Sequence, residues 1–305
     1  RFNIKKTLNF LFFKSIIILL NFGKQYIMID ASKLYYNRYG KYSDLDLSQV
    51  DISPLLKSIL SRASVRKFSK KPVTKETLTL LLASAQSAPS KSNLQQYSIL
   101  VIQDTSIKTE ISNLIGNTKW ALTAPVFLLF LADIRRNIKI SNDRGYKHKN
   151  NNVDTFMNGV IDAALSMQSM IISSEAMGLG VCPISMIRNI IQEVKFICNL
   201  PKGVFPIAGL AVGWPDEKAP VSLRLPQDIV THFDTYKEDN LDQKINEYDE
   251  RVFKIAPILK EKQRHVDLYG VAQKGTWSEN VSRQLSVPER ENFKKWLKGH
   301  GINLE

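Results

Sequence analysis

The chain is poor in the residues that build metal centres and disulfide scaffolds. Among 305 residues there are two cysteines, Cys182 and Cys198, no C-x-x-C pair, and four scattered histidines, His148, His232, His265 and His300. No zinc-ligand spacing results, and the two thiols, in apolar contexts, read as reduced core side chains of a reducing compartment. No Ser/His/Asp or Cys/His set is legible. Gly178-Leu179-Gly180 fits neither G-x-G-x-x-G nor a Walker A loop, so neither a dinucleotide fold nor a nucleotide phosphatase is supported. Residues 8–22 (LNFLFFKSIIILLNF) are split by Lys14, fall short of the ~20 apolar residues of a spanning helix, and lead to no small-residue cleavage site. Residues 1–27 contain no acid, only Arg1, Lys5, Lys6, Lys14 and Lys24. Met28 is read as the start and 1–27 as an upstream or unordered leader; a weak membrane anchor is the alternative.

With 44% apolar and 23% charged residues the chain has the composition of an ordinary globular protein. Its net charge is +13, of which +8 remains once residues 1–27 are set aside. That excess fits an anionic ligand such as a phosphate, or a nucleic-acid face; compositional drift toward Lys is the other reading.

Apolar spacing predicts helices over 52–61 and over 74–87, the latter with Thr74 as N-cap and Glu76 in its first turn. A strand follows over 97–103, a helix over 104–116 capped by Asp104, and a buried strand over 125–132. Residues 133–152 read as a long polar loop. From Val153 to Met177 the only charges are Asp154, Asp162 and Glu175, so this long helix must be largely buried. Strands are expected over 180–187 and 206–214, and more polar helices over 239–264 and 288–299. The alternation favours a mixed sheet with helices on both faces.

Four clusters could carry chemistry. In Arg62-Ala63-Ser64-Val65-Arg66 an extended backbone puts Arg62, Ser64 and Arg66 on one face. Two guanidiniums and a hydroxyl there make a phosphate clamp, or a solvated basic edge. Ser87 to Gln95 (SAPSKSNLQ) can hydrogen-bond a flat polar ring, or is an ordinary helix-to-strand turn. Gly178 to Ser185 is a helix stop followed by a core strand. Arg224, in Leu223-Arg224-Leu225-Pro226, could meet the first clamp in space or lie free on the surface.

Taken in order, SRASVRKF, LLASAQSAPSKSNLQ, VIDAALSMQSMIISSEAMGLG and FPIAGLAVGWP followed by RLP resemble the FMN-dependent nitroreductase family, in particular its NADPH-preferring branch of oxygen-insensitive nitroreductases and flavin reductase P. The resemblance implies an α+β, nitroreductase-like fold: a central mixed β-sheet flanked by helices, a long central helix, and a C-terminal extension wrapping the partner subunit of a homodimer. Its boundaries would be an N-terminal extension over 28–51, a core domain over 52–236 and a C-terminal helical extension over 237–305. It implies that Arg62 and Ser64 hold the FMN phosphate and ribityl chain, with Arg224 closing on the phosphate. Arg66 would lie near flavin N1 and the C2 carbonyl, and Ser90 and Asn93 against the flavin or its ribityl chain. Thr118 stands where the branch often has a cofactor-contacting Gln. Pro183, Ile184 and Ser185 would pack beside the ring. Ser222-Leu223-Arg224 replaces the branch's Lys-Pro-Arg, and Ser185-Met186 its Gly-Gly.

The implied activity is ping-pong, two-electron reduction of nitroaromatics, quinones or flavins in the cytoplasm, with NADPH or NADH as donor and no catalytic side chain or metal. Residues 258–276, with Lys260, Lys262, Arg264, His265 and Lys274, correspond by position to a mobile basic loop meeting the NADPH 2′-phosphate. Neither a nucleic-acid partner nor a membrane is expected from the resemblance. The alternatives are other flavin chemistry on the same fold (dehalogenation, flavin fragmentation), an inactive FMN-binding protein, or a nucleic-acid-binding protein.

Overall fold

The computed structural model describes residues 30–116 and 119–304, so the expectation for the leader lies outside it. The strands β1 (Tyr97–Ile102), β2 (Val126–Asp133), β3 (Gly180–Ile184) and β4 (Val204–Gly213) form one four-stranded sheet in the order β1-β2-β4-β3. The longer helices are α1 (Ala31–Tyr39), α2 (Pro54–Ser61), α3 (Lys75–Gln86), α4 (Thr105–Leu114), α5 (Arg135–Asp143), α6 (Val153–Ala176), α7 (Ile191–Ile197), α8 (Leu241–Ile255), α9 (Trp277–Leu285) and α10 (Phe293–Gly299).

Every residue of β2 and β4 is buried, because helices cover both faces of the sheet. Alternation decides which helices each side chain meets. Leu128, Phe130 and Ala132 of β2 face a core shared with Leu81 and Ala85 of α3, Met170 and Ile171 of α6 and Leu297 of α10. Phe127, Leu129 and Leu131 face the opposite core, with Ile111 of α4, Val194 of α7 and Ile187 from the turn that precedes α7.

The central helix α6 starts where the Asn152 side chain accepts from Thr155 N and stops before Gly178, whose φ of +81° suits glycine. Asp162, Ser166, Met170 and Ser174 are buried on it, whereas Val153, Met157, Ile161 and Leu165 form an exposed apolar stripe at four-residue intervals. Among the described residues no helix is long and apolar enough to cross a membrane.

Three expectations are corrected. The ladders are antiparallel throughout, not mixed; the parallel pairing to the sheet is the single bridge from Ser64 to Val181. The polar stretch 133–152 contains α5. Its sequence hides this because its start is capped from outside it, with Arg136 N donating to Asp133 Oδ1 at 3.1 Å, and Lys139 pairs with Asp143 one turn later. The helix expected over 239–264 ends at Ile255, before Pro257, which disfavours helix in the residue it follows. The last helix and the end of the chain pack on their own chain's core. Trp296 meets Phe205 edge-on at 5.6 Å and donates to Gln192 Oε1 at 2.8 Å, and Asn303 N donates to Asn151 O at 3.0 Å.

Gly180 is the point of closest approach between β3 and the segment carrying Ser64. A Cβ there would stand 2.7–2.9 Å from the side-chain carbons of buried Val65. Gly180→Ala is expected to lower stability by about 1–3 kcal/mol through overpacking, read as a lower urea midpoint with an unchanged slope.

A cationic cleft gathered by Arg38

Residues 62–68 run extended beside β3. Val65 N donates to Val181 O at 3.0 Å, and Ser69 N to Trp214 O at 2.9 Å. Val65 is buried while Arg62 and Ser64 are half-exposed and Arg66 is exposed, as strand alternation predicts; the alternation ends by Phe68, which is buried although it follows Arg66 by two. Arg62 Nη2 stands 3.5 Å from Ser64 Oγ. The Ser64 hydroxyl also meets the thiol of Cys182. Burial pushes that thiol up, and Arg66, Arg62 and the hydroxyl oppose it. The Arg66 backbone N–H donates to Glu217 Oε1 at 3.1 Å, and its guanidinium lies 5.9 Å from the Trp120 ring centre.

Arg38, in the last turn of α1, fastens the cluster together. Its Nη2 donates to Arg62 O at 2.8 Å and to Leu60 O at 2.9 Å, and its Nη1 to Ser222 O at 3.0 Å. In return Arg224 N donates to Arg38 O at 2.9 Å. Two segments far apart in sequence are thus held on one buried guanidinium. Burial lowers the pKa of Arg38 first, and the neighbouring Arg224 and Arg62 lower it further. Arg62 and Arg224 thus both lie close enough to Arg38 to act on its guanidinium.

Opposite stands Glu175, near the end of α6, with Oε1 3.4 Å from Arg62 Nε and both side chains largely buried. Burial raises Glu175 from 4.5 to about 7, against the pull of Arg62 and Arg38. Because the folded state then holds a proton that the unfolded chain has released, Glu175 works against stability as pH rises from about 4.5 to about 7. Arg38, Arg62 and Arg224 are always charged, so one carboxylate leaves the cluster short of negative charge. That donor set suits a phosphate.

The Ser90 turn is organised by a second acid of the same helix. The Ser90 hydroxyl donates to buried Asp162 Oδ2 at 2.7 Å, Gln96 N donates to the same oxygen at 2.9 Å, and Lys91 N to Oδ1 at 3.3 Å. Ser90 Oγ in turn accepts from Gln95 N at 2.7 Å. These bonds hold Ser92, Asn93 and Gln95 at positive φ, a conformation that costs side-chain-bearing residues energy and persists only where surroundings enforce it. Asn93 is exposed and accepts from Gln95 Nε2 at 3.1 Å.

Within one chain, then, Arg62, Ser64, Arg66 and Arg224 come together, and Ser90 and Asn93 do not join them. Asp162 and Glu175 lie about 20 Å apart along α6 at 1.5 Å per residue. Pro183 is half-buried and Ser185 exposed at the end of β3. Ile184 packs into the core. Thr118 lies outside the described residues. Sequence reasoning missed Arg38, Asp162 and Glu175 as site-builders. The signal for the two acids was present: a charge in a buried helix must be paired.

Comparison with known proteins places the chain in a family. The model of the Nitroreductase family matches residues 59–214, and that of the Nitroreductase family, C-terminal domain, matches 222–305. The chain belongs to the nitroreductase family. An FMN reductase (NADPH) of Bacillus subtilis is 32% identical over 81% of this chain and 98% of that protein. An oxygen-insensitive NADPH nitroreductase of Salmonella typhimurium is 30% identical over 82% and 98%. Among solved structures, the NfrA1 nitroreductase from B. subtilis superposes with a TM-score of 0.74 at 32% identity, covering 82% of this chain and 99% of that one.

Asp162→Ala would leave the buried Gln96 N–H unpaired, at a cost of about 1–3 kcal/mol. Hydrogen exchange at Gln96 and Lys91 should accelerate selectively, while amides of β2 and β4 change only with global stability.

Proposed function

We propose that this chain is an FMN-dependent oxidoreductase that takes electrons from NADPH or NADH and passes them in pairs to nitroaromatics, quinones or free flavins. The observation that carries this reading is the convergence of Arg62, Ser64 and Arg224 around Arg38. The activities named for the relatives support the same conclusion. FMN, when bound, supplies reversible two-electron hydride chemistry.

The chain's own residues bind and orient. Arg62 and Arg224 hold the phosphate through charge-assisted hydrogen bonds, and Ser64 takes the ribityl side. Arg66 offsets negative charge on the ring's pyrimidine edge by preorganised charge. Pro183 and the exposed start of the turn at Ser185 border the ring. No side-chain nucleophile is required, since positioning and electrostatics are what the protein contributes.

The Ser90–Asn93 turn reaches the cofactor of a second copy rather than its own. Its distance from the Arg62 clamp in one chain supports a homodimer, and so do the apolar stripe of α6 and the exposed Leu55, Leu56 and Ile59 of α2, which a partner would cover. Two free cysteines and dependence on NAD(P)H suit the cytoplasm.

The test is an absorbance spectrum of purified protein, then anaerobic titration with NADPH. Wild-type protein should be yellow and bleach with one equivalent of NADPH per flavin. The double variant Arg62→Ala/Arg224→Ala should fold but purify without flavin; stoichiometric FMN in it would remove the phosphate assignment.

A further inference from the structure

We propose that Glu175 is the resident counter-anion of the Arg62–Arg38–Arg224 cluster, and that binding of the FMN phosphate there is coupled to uptake of a proton by Glu175. The inference rests on the reading of the cluster as the phosphate site and goes beyond it by assigning a role to a carboxylate that no hydride transfer uses.

The groups facing Glu175 can be named element by element. From the 60–66 segment comes Arg62, 3.4 Å away, with Arg66 further out toward Cys182. From α1 comes Arg38, and Arg224 acts on that guanidinium from the other side. The three cations belong to arginines, which do not deprotonate in proteins. A phosphate dianion entering this cluster adds two negative charges beside a buried carboxylate. The carboxylate is the group able to shed its charge, by taking a proton from solvent.

Burial has already brought Glu175 close to balance at neutral pH, raising it to about 7. A new anion nearby raises it further, since like charge disfavours ionisation. Above pH 7 the cofactor-free protein has Glu175 ionised and the loaded protein has it neutral, so the difference is one proton. Affinity for FMN must then fall with rising pH, by up to tenfold for each pH unit. The same carboxylate holds Arg62 by Nε and leaves Nη2 beside the Ser64 hydroxyl.

The experiment dilutes FMN-loaded full-length protein and reads the fluorescence of released flavin, from pH 7.5 to 9 at constant ionic strength. The phosphate's own second ionisation, near pH 6 for phosphomonoesters, is complete across this window. Wild-type Kd should rise up to tenfold per unit, whereas Glu175→Gln, neutral at every pH and close in shape, should give a flat profile and bind more tightly than wild type at pH 9. A flat wild-type profile, or an equal slope in Glu175→Gln, overturns the proposal. The wild-type slope counts the protons, and Glu175→Ala, also uncharged, supplies the same comparison if Glu175→Gln fails to fold. Protein that holds no FMN at any pH would instead overturn the functional reading beneath it.

Discussion

A single buried guanidinium holds the site together. Arg38 carries its charge into a largely enclosed position and pairs there with three backbone carbonyls, those of Leu60, Arg62 and Ser222, rather than with a carboxylate. A fork of fixed donors can bridge three strands of chain in a way that the point charge of a lysine cannot. Two consequences follow from the same bonds. The segments carrying Arg62 and Arg224 are drawn together, and positive charge accumulates that carbonyl dipoles only partly satisfy. The cluster is therefore built in deficit of an anion, the charge that the proposed phosphate would supply.

The central helix acts as a ruler between two such clusters. Asp162 shapes the turn that presents Ser90 and Asn93, and Glu175 orients Arg62. Both acids lie on one helix about 20 Å apart, so neither cluster alone surrounds a flavin. The apolar stripe of Val153, Met157, Ile161 and Leu165 runs along that same helix. Burying it against a second copy would bring foreign turns to each clamp and remove apolar surface from water in one step. On the proposed reading, assembly and cofactor binding would draw on one surface.

Much of this was legible in the residues. The alternation in Arg62-Ala63-Ser64-Val65-Arg66 is the backbone's own period of two, and the edge pairing to Val181 preserves it. The unbroken apolar runs of β2 and β4 announced strands covered on both sides. The paucity of charge in α6 announced burial. What escaped was non-local. Arg38 ends a polar, weakly patterned helix, and nothing in NRYG distinguishes a surface arginine from one that spans three segments. Strand direction depends on connections that apolar runs do not encode, so a parallel component was expected where the ladders are antiparallel. The helix α5 is capped by Asp133 of the preceding strand. Docking of the chain's end depends on Trp296 finding Phe205 and Gln192, which no local pattern foretells.

The most direct measurement is a crystal structure of the flavin-loaded protein, reading where the phosphate lies. Its oxygens should sit within about 2.7–3.2 Å of donors on both Arg62 and Arg224, with Arg38 still bonded to the carbonyls of Leu60, Arg62 and Ser222. A phosphate held elsewhere, or by one of the two guanidiniums with Arg38 turned to solvent, would contradict the assignment.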